Sequence, residues 1–206
     1  MPKPNHSLTE PTTIAAYVEA ITRALEARGV DPDEVLREID VSRIRNNDPL
    51  VRITDSTVNA IYARAVALTG DEYFGLRVAD CIVPGMLHAL GYALLASETL
   101  EDFCHRFVRY YGLVSESAHL SIVVQGETFR LEADPRNPGI CVETQDVWAG
   151  LVIRLMRAAY RGDFHPRQIE LRRAVPAGGV APFRAFLGCP VRFGQPHLCF
   201  HFGLAA

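Results

Sequence analysis

The sequence contains a single lysine, Lys3, against twenty arginines, and no apolar run approaching the roughly 20 residues that a membrane-spanning helix needs. The first shortage points to an arginine bias of the coding genome rather than to one site. The second argues against a membrane protein. The amino terminus, MPKPNHSLTEP, lacks the apolar centre of a signal peptide, so a cytoplasmic protein is expected. Five cysteines, Cys81, Cys104, Cys141, Cys189 and Cys199, include no CxxC pair, which speaks against a disulfide framework and a zinc finger and for buried thiols. GxSxG, GxxxxGK[ST], a GxGxxG after a strand and HExxH are all missing. The commonest signatures of hydrolases, nucleotide enzymes and zincins are therefore absent, and neither an enzyme nor a cofactor is expected.

What remains is a chain of 206 residues, 49% hydrophobic and 22% charged, long enough for one generous core or two small lobes packed together. Its formal charge of −3 hides an asymmetry. Residues 151–206 hold eight arginines against Asp163 and Glu170, a net +6, which leaves −9 on the rest. A positive end of this kind suits nucleic acid or the acidic part of a second copy. A solvated arginine surface is the plainer reading.

The hydrophobic period divides the chain in two. Residues 1–11, polar and with three prolines, read as a flexible lead-in, and residues 12–115 read as helices. Thr12 or Thr13 is expected to cap the first helix, with Ile14, Tyr17, Val18, Ile21 and Leu25 as its stripe and Arg28–Gly29 as its stop. Asp31–Pro32 opens a short helix presenting Val35, Leu36 and Ile39. After a polar break at Arg45–Pro49, Thr54 or Asp55 opens a third helix, closed by Gly70. A further short helix follows over 71–79, and Gly85–Ala96 reads as a small-residue apolar helix. The clearest helix starts at a capping-box pattern, Thr99 with Asp102, Ser97 being an equally good cap, and repeats Leu100, Phe103, Cys104, Phe107, Tyr110, Tyr111 and Val114. Past Ser115 the period falls to 2. HLSIVVQG and ETFRLEAD predict a hairpin turned at Gln125–Glu127, Glu143–Arg161 a long helix carrying Trp148, and Gln168–Val175 a third strand. Pro182–Leu187 predicts a short helix, and Pro190–Phe193 with Leu198–Phe202 a final hairpin. The fold class expected is α+β: a helical amino-terminal half, then residues 116–206 as an antiparallel sheet with one long helix.

Two constellations invite chemistry. His197, Cys199 and His201 alternate along the last strand, so one face carries two imidazoles and a thiol at metal-ligand spacing, with Leu198, Phe200 and Phe202 on the core face. The alternatives are a metal- or haem-binding sensor or small enzyme using these residues, and plain polar strand positions. Tyr110 and Tyr111, at the end of their helix, together with Tyr92 and Trp148, are candidates to line an apolar ligand pocket with hydroxyl handles, core packing being the other reading. Cys104 beside His105 does not make a nucleophile and its base, because neighbours on a helix diverge by about 100°.

Four segments, GVDPDEVLREIDVSRI, ALTGDEYFGLRVAD, GYALLASETLEDFCHRFVRYYGLVS and FRAFLGCPVRFG, in this order and spacing, resemble the amino-terminal, arabinose-binding-like domain of AraC-type transcription regulators. The resemblance runs from about residue 12 to residue 204. It implies a bacterial regulatory domain that senses an unknown small-molecule effector or forms a homodimer. It further implies that DNA is bound only by a carboxy-terminal domain with two helix-turn-helix motifs, missing from these 206 residues. The His-x-Cys-x-His pattern has no counterpart in that family.

Overall fold

The structure, a computed structural model, describes residues 10–37, 51–126, 128–160 and 164–203. Thr12–Ile14 form strand β1, Tyr17–Glu26 helix α1 and Pro32–Leu36 helix α2. Thr12 and Thr13 thus lie in a strand rather than capping a helix, and α1 starts from Ala16 without a side-chain cap. Long-range pairing is the reason. β1 runs antiparallel to β2, Arg52–Thr54, on one edge. Its other edge bonds the 114–116 segment, Ile14 N–H donating to the Val114 carbonyl at 2.9 Å and Glu116 N–H to the Thr12 carbonyl at 2.8 Å. A side-chain cap contributes about 1 kcal/mol, less than two paired edges. Of the expected lead-in, Glu10 and Pro11 are described, and both are tied down: Glu10 accepts from the Ser56 amide at 2.6 Å and Pro11 from the Asp55 amide at 3.1 Å. Asp31 caps α2 by accepting from the Asp33 amide, ahead of Pro32. Ile39 and the break at Arg45–Pro49 lie outside the described residues.

Helix α3, Asp55–Thr69, is capped by Thr54 and ended by left-handed Gly70. α4, Phe74–Cys81, leads through a 3-10 turn at Pro84–Leu87 into α5, His88–Leu95. α6, Leu100–Tyr110, is capped by Thr99, whose hydroxyl accepts from the Asp102 amide at 3.1 Å. The Asp102 carboxylate accepts from Arg106 Nε, and the Ser97 hydroxyl donates to the Ala93 carbonyl instead of serving as a cap. A 3-10 turn, Tyr111–Leu113, follows α6. Leu100, Phe103, Cys104, Phe107, Tyr111 and Val114 stay buried while Tyr110 turns outward.

β3, Ala118–Gln125, and β4, Thr128–Pro135, form the expected hairpin around left-handed Gly126. α7, Val142–Tyr160, packs against α4 at backbone distance. A Cβ on Gly150 would sit 2.4 Å from Ala79 Cβ, and one on Gly75 would sit 2.5 Å from the Glu143 carbonyl oxygen. The remaining elements are β5, Gln168–Glu170, α8, Ala181–Leu187, β6, Val191–Arg192, and β7, Leu198–Gly203. The five-stranded sheet has the order β3-β4-β7-β5-β6. The expected final hairpin is therefore not formed. β7 inserts antiparallel between β4 and β5, and β6 pairs with β5, in parallel. The apolar alternation Leu198, Phe200, Phe202 suits the central position, whereas β6 offers two residues and takes the edge. Register sets Ile122, Leu131, Phe200, Ile169 and Val191 in one apolar row across all five strands. Leu100, Phe103, Phe107, Leu151 and Leu155, from α6 and α7, belong to the same core as this row. Part of the positive charge after Leu151 is spent internally: Arg173 pairs with Asp146, and Arg157 donates to the carbonyls of Phe186 and Leu187 at 2.9 Å. Among the described residues no single helix is long and apolar enough to cross a membrane.

Candidate functional site

Where β1, the start of α3, the turn before α5, the turn after α6 and the first half of α7 meet, they enclose a cavity. Its free interior is about 30 Å³, room for roughly two waters. Most of the wall is apolar, with Met86, Leu87, Val147, Trp148 and Leu151 among its residues. One edge is polar and comes from three distant segments. Thr13 Oγ1 lies 2.8 Å from Ser115 Oγ and 3.2 Å from Ser117 Oγ, Ser115 donates to Ser117 at 3.1 Å, and the Ser117 hydroxyl donates to Asp55 Oδ1. The chain of hydroxyls thus ends on a carboxylate.

Asp55 is 1% exposed. Its Oδ2 is buried and makes no hydrogen bond. Burial raises this carboxyl above the usual carboxylate range, while the bond from Ser117 and the nearby Asn137 amide pull the other way. Tyr17 also lines the cavity, its hydroxyl bonded to that of buried Tyr62, and burial pushes both phenols well above their ordinary range. Tyr111 is raised for the same reason.

Of the four residues singled out from sequence, Tyr111 and Trp148 meet in this cavity. Tyr92 and Tyr110 do not. Tyr92 is 64% exposed on α5, and Tyr110, 39% exposed, borders an open groove with Arg109 5.3 Å above its ring. The hydroxyl row and Asp55 were missed. Thr54 and Asp55 carry a helix-start signal that conceals any second role, and nothing local links Asp55 to Ser117, 62 residues away.

On the opposite face of the sheet the His-x-Cys-x-His residues separate. His197, 47% exposed at its side chain, bonds Asp134 at 2.8 Å. Cys199 is 2% exposed, in register between Glu132 of β4 and Glu170 of β5. Burial and those two carboxylates push its thiol up to about 12. His201 Nε2 lies 3.3 Å from Glu170 Oε2. The ligand atoms of Glu170, Cys199 and His201 all fall within 4.8 Å of one another, so Glu170 stands where the spacing suggested His197.

Helices and strand β1 thus meet over a largely apolar cavity bordered by one buried carboxylate, the kind of lining that small-molecule sites have. The chain belongs to the family described as the arabinose-binding, amino-terminal domain of AraC transcription regulators, whose profile matches residues 29–206. It is a regulatory domain of that class. Among solved structures, the transcriptional regulator CdpR from Pseudomonas aeruginosa is similar over 92% of this chain, with a TM-score of 0.59 and 12% identity, a likeness of fold. This chain spans 55% of the length of that one. No match was found among curated proteins.

Proposed function

We propose that this chain is the effector-sensing and dimerisation domain of a bacterial, cytoplasmic AraC-type regulator, with DNA bound by another domain of that regulator. The small molecule occupies the cavity at Tyr111 and Trp148. One observation carries this reading: a buried carboxylate, Asp55, faces an apolar cavity with one oxygen unsatisfied. Buried charges are normally paired, since leaving one alone costs several kcal/mol. A ligand group is a natural partner. The best match is a protonated amine on an apolar body, because a cation supplies both the missing donor and the missing countercharge. A pentose suits the site less well, since its hydroxyls all seek partners and most of this wall offers none. Anything larger than two waters must displace wall side chains, and Met86, unbranched and adaptable, is suited to yield.

The test is a thermal-shift and calorimetric panel of apolar primary amines, the matching alcohols and carboxylic acids, and arabinose. Amines should stabilise the protein, and Asp55→Asn should remove at least tenfold of their affinity. Trp148→Ala and Tyr111→Ala should weaken every ligand regardless of head group. Hits that survive all three substitutions unchanged would place the pocket elsewhere. Sequence-specific, nanomolar DNA binding by this chain alone would overturn the assignment of DNA binding to another domain.

A further inference from the structure

We propose that Glu170, Cys199 and His201 form a metal site of the zinc class on the outer face of the sheet, independent of the cavity. Three observations converge on it. First, the sheet register does the assembling: β7 lies antiparallel to β5, with Cys199 opposite Glu170 and His201 opposite Gln168, so two strands supply a carboxylate, a thiol and an imidazole to one spot. Their ligand atoms lie within 4.8 Å of one another. Tetrahedral zinc, with bonds of about 2.0 to 2.3 Å, sets its ligands about 3.3 to 3.8 Å apart, so modest side-chain movement closes the set.

Second, the atoms that would bind a cation face one another, His201 Nε2 lying 3.3 Å from Glu170 Oε2. His201 Nε2 is buried and makes no hydrogen bond. Gln168 Nε2 donates to Glu170 Oε1 at 3.0 Å, which orients the carboxylate and leaves Oε2 facing His201. That is the outer-shell arrangement metal carboxylates use. Third, the charges balance. A thiolate and a carboxylate with a neutral imidazole neutralise a divalent ion, the thiol proton being released to solvent as the metal–sulfur bond forms. Sulfur and imidazole together favour Zn²⁺ over Mg²⁺ or Ca²⁺. A water completes the fourth position, since Glu132, opposite Cys199 on β4, already lies 3.4 Å from Arg130 Nε.

The experiment titrates chelator-stripped protein with Zn²⁺ against a chromophoric competitor, and with Co²⁺ for its sulfur charge-transfer band. One equivalent of Zn²⁺ and a thiolate–cobalt band are expected. Cys199→Ser should abolish the band, and Glu170→Gln and His201→Ala should each lower affinity at least tenfold, the loss that even outer-shell changes produce. His197→Ala should leave both readouts unchanged. Substoichiometric or absent binding, binding indifferent to all three ligand substitutions, or an equal loss in His197→Ala would overturn the assignment. If Cys199→Ser fails to fold, as circular dichroism would reveal, Glu170→Gln and His201→Ala decide alone. No outcome of this titration bears on the amine panel, which probes the other side of the sheet.

Discussion

Asp146 sits 1% exposed on α7 with its Oδ2 held by Arg173 and its Oδ1 without a partner. Arg173, itself almost buried, lies over the Phe183 ring at 5.2 Å, so the pair ties α7 to the segment ahead of α8. Burial outweighs the guanidinium and lifts the carboxyl to about 8. A carboxyl raised on folding binds its proton more tightly in the native state. Its contribution to stability is therefore complete below the ordinary value of about 3.9 and is lost as pH rises through about 8. Urea midpoints should fall between pH 5 and pH 8, and Asp146→Asn, which cannot ionise, should flatten that slope. An unchanged slope in the variant would assign the pH dependence to other groups. At the same scale, the sequence made Tyr111 and Trp148 legible as pocket candidates but not the separation of Tyr110 from Tyr111. Adjacent positions on a helix diverge by about 100°, so with Tyr111 four residues on from Phe107 in the buried stripe, Tyr110 falls at its margin, where exposure depends on what packs alongside.

Among the elements, α6 was the most legible because its start, stripe and charge order agree: Thr99 caps it, acids open it, Arg109 ends it, and one side is apolar. Phe107 is at the middle of that stripe, its ring 6.2 Å from Phe103 and 5.2 Å from Tyr111. Truncating it should leave a cavity that the paired helices cannot collapse. Phe107→Ala is expected to cost about 3 to 5 kcal/mol in reversible denaturation. A loss below about 1 kcal/mol would show that α6 does not depend on this face. The strands were legible as elements but not as a sheet. Nothing in Pro190–Phe193 states that its partner is β5, more than twenty positions back, because strand order is settled by which strand has two faces to bury and which has one. The same limit hid β1, whose threonines look like caps until β2 and the 114–116 segment are brought alongside.

At the scale of the whole molecule, β1 acts as a seam between the helices and the sheet. Thr12 bonds Glu116 through its amide at 3.1 Å and its hydroxyl at 2.7 Å, and Arg52 donates to Thr12 Oγ1 at 2.7 Å and to the Leu113 carbonyl at 3.1 Å. Behind this seam the row Thr13, Ser115, Ser117, Asp55 borders the cavity. A ligand that paired with Asp55 would thus act on the group that closes the row, and a signal between the halves requires only that it favour one arrangement by about 1 to 3 kcal/mol. Such a role demands that the hydroxyls behave as one unit. Thr13→Val and Ser117→Ala each break the row at a different point, so the second substitution has less left to lose once the first is made. The double variant should lose less stability than the two single losses combined, by at least about 0.5 kcal/mol, whereas independent sites add to within about 0.3 to 0.5 kcal/mol. The measurement is a double-mutant cycle by urea denaturation. Strict additivity would mean that the hydroxyls act independently, and that a ligand at Asp55 has no hydroxyl path across the seam.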